Sequence, residues 1–259
     1  MKFVFGVAFL LAVLLSGLII VQGKDGRVYK LLTKILRPVQ AQFVPEQYLE
    51  TDYLKSFDQV LKDKSWSWYQ PGLIDWTLKG EALEVITNQE SMWWINSNGS
   101  MLFNAVKGDV EISISVSARK ETDPSGFTDQ AFQFGGIILR DPASDSFLTS
   151  ENYVFGVIGN RGSNGLQIET KSTYNGWSSV QGADWDTGDV SIKIKRSGIL
   201  FSIFAKSSGL DDWDLVQEYE RRDLPDILQL GLIVYSYSNG KGTHDLRVLF
   251  SDMEIRFAH

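Results

Sequence analysis

Asp109–Ser117 reads DVEISISVS. Val110, Ile112, Ile114 and Val116 alternate with Glu111, Ser113, Ser115 and Ser117, so an extended chain turns β-branched aliphatics to one face and small polar groups to the other. That is the pattern of a strand with one buried face and one wet face. The same period recurs outward from it. Val190–Lys195 alternates, Arg196-Ser197-Gly198 supplies turn chemistry, and Ile199–Ala205 returns as the second strand of a hairpin. Leu246–Phe257 alternates through Val248 and Phe250, then resumes at Met253, Ile255 and Phe257, and the residue inserted near Ser251-Asp252 predicts a bulge. Further strands are expected at 82–87, 100–103, 133–140, 153–158, 166–171 and 228–235, with Gly, Asn, Asp, Ser or Pro clusters between them. No segment beyond residue 55 carries a strong amphipathic-helix pattern. The expected fold class is therefore all-β, an antiparallel sandwich of two sheets. No internal repeat marks a propeller or a solenoid.

Composition removes several classes of chemistry. The 259 residues include no Cys and two His, one of them terminal, which leaves no thiolate metal site, disulfide or cysteine nucleophile and a single internal imidazole, His244. Hydrolytic chemistry would have to use paired carboxylates. Binding would use the 8 Trp, 9 Tyr and 15 Phe together with amides and hydroxyls. Residues 1–37 carry six Lys or Arg against Asp25, while the remaining chain carries 19 bases against 31 acids, so a segment of +5 precedes a body of −12. So acidic a body excludes a nucleic-acid partner, which needs clustered basic groups for phosphate.

Phe3–Val21 is an unbroken apolar run of 19 residues, and at 1.5 Å per residue it nearly crosses a hydrocarbon core ~30 Å thick. Residues 1–23 are read as a membrane anchor or signal peptide, with the anchor favoured because Val21-Gln22-Gly23 is only a tolerable cleavage site. Residues 24–54 form a stem and tether. Within it, Val28, Leu31, Leu32 and Ile35 recur at helical spacing opposite Arg27, Lys30, Lys34 and Arg37, as in a basic helix lying along a membrane surface. Those bases oppose export by the positive-inside rule, so topology stays open. The expected location is membrane-anchored or secreted, with the body (55–259) extracytoplasmic.

Landmarks of the body resemble a known family. Phe57-Asp58, Trp66-Ser67-Trp68, Trp76-Thr77-Leu78, Gly80, and Leu83 with Val85 are similar to the opening of the concanavalin A-like accessory domain of β-xylosidase-type glycoside hydrolases. Gly108-Asp109, the strand Gln133-Phe134-Gly135-Gly136-Ile137-Ile138-Leu139-Arg140, Trp177-Ser178, and Phe250 with Asp252 follow in order. The chain also resembles stand-alone domains related to the yeast regulation-of-enolase protein. The likeness spans roughly residues 55–258. It departs at Asp129-Gln130-Ala131-Phe132-Gln133-Phe134-Gly135, where the usual Asp-Gln-Ala-Gly is interrupted. The resemblance implies a jelly roll of two curved sheets with a concave face suited to a saccharide. It does not imply catalysis, because the reacting carboxylates of β-xylosidases lie on a separate propeller for which this chain has no room.

A retaining glycosidase needs two carboxyl groups about 5 to 5.5 Å apart. The glucanase spacing E-x-D-x-x-E begins at Glu50-Thr51-Asp52 and Glu121-Thr122-Asp123, but Lys55 and Gly126 stand where the third acid belongs. Asp211-Asp212-Trp213-Asp214 reads as a solvated loop. The chain is therefore expected not to be an enzyme, with glycoside hydrolysis a remote third reading behind a lectin-like domain and a structural or protein-interaction module. Trp66, Trp68 and Trp76 are read as packing. In Trp93-Trp94, neighbours on a strand face opposite ways, which makes Trp94 a ligand candidate. Tyr174, Trp177 and Trp185 lie in a Gly/Asn/Ser-rich stretch read as a loop or sheet rim. Gln133 and Arg140 are seven residues apart on one strand, so only one of them can line the concave side. Asp252 is the metal candidate, at a place where such jelly rolls bind Ca²⁺. Calcium takes six to eight oxygens and the sequence offers one, so a carboxylate steadying the bulge is the plainer reading. No other cofactor is expected.

Overall fold

The computed structural model describes residues 47–258 apart from 95–96, 129, 146–150, 163–164 and 239–243. The apolar run and the basic helix expected before residue 38 lie outside the described residues. Among the described residues, no helix is long and apolar enough to cross a membrane.

A short helix, α1 (Phe57–Lys62), opens the body. The Ser56 N–H donates to Gln59 Oε1 at its start, and the helix buries Phe57 and Val60. The strands then run β1 (Ser67–Tyr69), β2 (Ile74–Lys79), β3 (Ala82–Thr87), β4 (Met92–Trp93), β5 (Ser97–Asn98), β6 (Ser100–Lys107), β7 (Val110–Arg119) and β8 (Gln133–Arg140). They continue as β9 (Tyr153–Asn160), β10 (Leu166–Tyr174), β11 (Trp177–Asp184), β12 (Asp189–Ser197), β13 (Leu200–Ser207), β14 (Asp214–Glu220), β15 (Ile227–Ser236) and β16 (Arg247–Phe257). The first sheet has the order β1-β6-β15-β8-β9-β10-β11 and the second β14-β13-β12-β7-β16-β3-β2. Every pairing between named strands is antiparallel. The all-β sandwich expected from the alternation is therefore present. The stretch read as a tether reaches into it at its end: the Leu49 N–H donates to Ala105 O at 2.8 Å, and Tyr53 exchanges backbone bonds with Ile255.

The core between the sheets takes the apolar face of each strand. Val110, Ile112, Ile114 and Val116 of β7 are all buried there, beside Ile192 and Ile194 of β12 and Phe250 and Ile255 of β16. Each large aliphatic so buried contributes about 1.5–3 kcal/mol. Two glycines set how closely the sheets approach. A Cβ on Gly135 would lie 2.6 Å from Val248 Cγ1, and one on Gly156 would lie 2.9 Å from Ile203 Cγ2, so each opposing side chain fills the place of the missing one. The Gly135 contact also fixes the faces of β8: Gln133, Gly135, Ile137 and Leu139 look into the sandwich, and Phe134, Gly136, Ile138 and Arg140 look away.

The expected bulge is where the insertion placed it. Pairing of β16 with β7 shifts register between Ser251 and Glu254, and Asp252 sits there in the left-handed region at φ 52°. Several strands are additions to those expected from the alternation, β1, β2 and β5 among them. β11 runs through residues read as a loop or sheet rim and forms the rim of the first sheet, and β14 begins inside the acidic run, at Asp214.

Candidate functional site

The outer face of the first sheet, where the resemblance directs a ligand, is filled by the protein's own side chains. Tyr69, Trp93, Phe134, Tyr153, Phe155 and Tyr235 form a second apolar cluster on it. Trp93 comes from the β4–β5 hairpin, edge-on to Tyr153 at 6.1 Å, while Tyr153 stacks on Phe155 at 5.6 Å. The indole can settle there because Gly99 lacks a side chain; a Cβ would lie 2.2 Å from Trp93 Nε1.

The buried charged groups under this layer are paired, although Trp93 Nε1 itself has no hydrogen-bond partner among the described residues. Arg140 is 0% exposed and donates from Nε and Nη2 to both Glu151 oxygens at 2.9 and 3.0 Å, and from Nη1 to Gln229 Oε1 at 2.6 Å. Its guanidinium lies 5.3 Å from the Tyr69 ring and 5.8 Å from that of Trp93. On β10, Lys171 donates to Trp93 O at 2.9 Å and lies 3.6 Å from Glu169, which also faces Arg161 at 3.7 Å. Burial pushes the Lys171 ammonium down to about 8, against the pull of Glu169. Burial likewise raises the Glu169 carboxyl, with Lys171 and Arg161 opposing.

The sequence candidates thus separate. Arg140 faces outward from the first sheet but is sealed into the ion-pair lattice. Gln133 faces into the sandwich, accepting from Thr128 and donating to Ser236 Oγ at 3.2 Å. Trp94 is 41% exposed at the rim, with Lys171 Nζ 4.6 Å from its ring. Trp185 packs half-buried against the sandwich core just beyond β11. Tyr174 and Trp177 flank a two-residue turn, Asn175 at φ 48° and Gly176 at φ 78°, and Trp177 is 83% exposed. The six ligand candidates do not converge on one surface. Asp252 accepts from the Ser251 hydroxyl at 2.9 Å, and among the described residues no group of three acidic or His side chains could hold a metal ion.

An open groove of about 570 Å³ lies instead on the outer face of the second sheet. Its floor is the wet side of the DVEISISVS strand and its neighbours: Ser113 and Ser115 on β7, and Ser191 on β12, whose hydroxyl lies 3.2 Å from that of Ser115. One wall is Trp213, carried back over the sheet by the β13–β14 connection, which turns at Gly209 with φ 83°. Lys193 Nζ and Lys206 Nζ sit 4.4 and 5.0 Å from its ring, and Lys193 lies 3.7 Å from Glu111. The opposite rim holds Asp252, Glu254 and Arg256, the last two joined at 2.9 Å. A flat aromatic wall, a floor of small hydroxyls and charged groups of both signs make a surface for a hydroxyl-rich ligand. Of these residues, sequence reasoning offered only Asp252 as a site candidate. The available signal was the run of serines on the wet face of β7, together with a Trp following Gly209.

No known family profile matches the chain, and no curated protein sequence matches it. Solved structures do. A Saccharomyces cerevisiae protein described as functionally unknown superposes with a TM-score of 0.59 at 14% identity, covering 75% of this chain and 97% of that one. A xylan β-1,4-xylosidase from Bacillus halodurans gives 0.57 at 12% identity over 83% of this chain, which spans 41% of the enzyme. The basic winged bean lectin, solved with Tn-antigen, gives 0.51 at 11% identity over 79% of this chain and 96% of the lectin. At these identities the likeness is one of fold. The body is a jelly-roll sandwich of the concanavalin A-like type, resembling the xylosidase domain and the yeast protein as its sequence landmarks imply.

Proposed function

We propose that this chain is a non-catalytic carbohydrate-binding domain, membrane-tethered or secreted, that holds its saccharide in the groove on the outer face of the second sheet. The Trp213 wall over the Ser113, Ser115 and Ser191 floor carries this reading. An indole face stacks on the C–H surface of a pyranose, while the serines, Lys206 and the rim carboxylates exchange hydrogen bonds with its hydroxyls. Use of the fold by a xylosidase and by a lectin supports a sugar as the ligand class. The absence of turnover draws on how the rim acids are held: Glu254 pairs with Arg256 and Glu111 faces Lys193, so neither stands as an unpaired acid beside a nucleophile.

Affinity electrophoresis of the full chain in detergent against xylan, glucan and mannan tests the proposal. Retention on at least one polymer is expected, lost in Trp213→Ala and kept in Trp94→Ala and Trp177→Ala. No retention on any polymer, or unchanged retention of Trp213→Ala, overturns it, and steady release of reducing sugar removes the non-catalytic part. A structural or protein-interaction module is the second reading, favoured by the sealed outer face of the first sheet. Protease protection of a C-terminal tag in intact cells tests the extracytoplasmic placement.

A further inference from the structure

Among the described residues the first sheet ends at β11, whose backbone is paired on one side only. The Trp185 N–H donates to Leu166 O, so odd-numbered residues of this strand bond to β10 and Ser178, Val180, Gly182 and Asp184 turn their N–H and C=O groups outward. Folded proteins commonly blunt such an edge with charge, proline, a bulge or brevity. The other three edges show these devices. β1 has three residues, β14 carries Asp214, Glu218 and Glu220 beside a register shift, and β2 carries Asp75 and Lys79. From Trp177 to Ala183, β11 has none of them.

We infer that β11 is a self-association edge, pairing antiparallel with β11 of a second copy about a two-fold axis through Val180. In that register Val180 meets its own copy, Ser178 meets Gly182 and Ser179 meets Gln181, a hydroxyl opposite an amide. Three narrow pairs exchange two bonds each, about six in all. Trp177 falls opposite Ala183, so a bulky ring that is 83% exposed in one copy lies over the smallest apolar side chain of the strand in the other. Asp184 faces Gly176, and no like charges oppose each other. Shifting the register by one step in each strand places Trp177 against Trp185, which is already packed on the core. The surface is therefore self-complementary about Val180, as a two-fold interface requires.

The test uses the full chain in detergent, carrying either of two affinity tags. Co-purification of differently tagged copies is expected for the parent chain. Val180→Lys puts two ammonium groups face to face on the axis and should weaken self-association about tenfold or more; Val180→Glu should do the same with two carboxylates. Mixing the two variants should restore pairing, because the axis then carries opposite charges, and that recovery also shows that both variants fold. The chain has no Cys, so Val180→Cys should cross-link to itself under mild oxidation, while Leu210→Cys, an exposed control, should not. A monomeric parent chain overturns the inference. So does self-association unchanged by Val180→Lys, or a charge-swapped mixture that fails to pair.

Discussion

Arg140→Met should destabilise the fold by about 3–5 kcal/mol, because it strips the buried Glu151 carboxylate of the guanidinium that holds both its oxygens. The Arg140 side chain is fully buried and that of Glu151 nearly so, and three hydrogen bonds of 2.6 to 3.0 Å end on this guanidinium. A chain of this length shifts its Tm by about 2–4 °C per kcal/mol, so the expected loss is on the order of 10 °C. Arg140→Met/Glu151→Leu removes both charges and leaves the Gln229 carbonyl without this donor, which costs about 1–3 kcal/mol. The double variant should therefore be more stable than the Arg140→Met single, and the double-mutant cycle should close with a coupling of about 2 kcal/mol or more. Urea unfolding followed by Trp fluorescence measures all four proteins. If Arg140→Met stays within about 1 kcal/mol of the parent, or the single losses simply add, the ion pair is not a structural unit. Arg140 would then return to the ligand candidates that the sequence suggests.

Three further perturbations test other parts of the structure. Gly135→Ala drives a methyl to 2.6 Å from Val248 and should cost about 1–3 kcal/mol, with most of it recovered in Gly135→Ala/Val248→Ala; no recovery refutes the account of sheet spacing. Lys171 falls from its ordinary 10.5 to about 8 on folding, so between those values the unfolded chain binds more protons and stability rises with pH. The parent chain should accordingly gain on Lys171→Met from pH 8 to 10 in matched unfolding curves, and a flat difference removes the claim that burial depresses this lysine. Asp252→Val places a β-branched residue at φ 52° and should cost about 1–2 kcal/mol, whereas Asp252→Gly should be neutral or mildly stabilising; equal effects contradict the bulge geometry.

Strands were legible wherever burial differed between their two faces. β7, β12 and β16 print the difference directly, and the residue inserted at Ser251-Asp252 even locates the bulge. β8 reads clearly for another reason: both its faces are buried, so the run is almost continuously apolar between its polar ends. β11 and β14 are held at sheet edges by backbone bonds to one neighbour, with side chains substantially exposed on both sides. WSSVQGAD and DLVQEYE therefore carry little of the alternation that burial imposes, which is why the first reads as a loop or sheet rim and not as a strand: pairing decides there, not burial.

The candidate site was less legible, because what closes one face and opens the other comes from segments distant in sequence. Local spacing correctly put Gln133 and Arg140 on opposite faces and Trp93 and Trp94 on opposite sides. It could not show that a hairpin near residue 93 lays an indole over Arg140, 47 residues later in the chain, and so seals the face that the resemblance offers to a ligand. Nor could it show Trp213 turning back over β12, since three neighbouring aspartates make that run look merely solvated. The wet positions of β7 were on view from the start. Their side chains are free of core constraint, and on a solvated sheet face such positions commonly carry long charged groups that cover the backbone. Here Ser113 and Ser115, with Ser191 beside them, keep the floor low between Lys193, Trp213 and the acidic rim. One alternation in one strand therefore both fills the core and leaves the groove open. The apolar half of that pattern specifies the sandwich, and the choice of serine in the polar half gives the surface its depth.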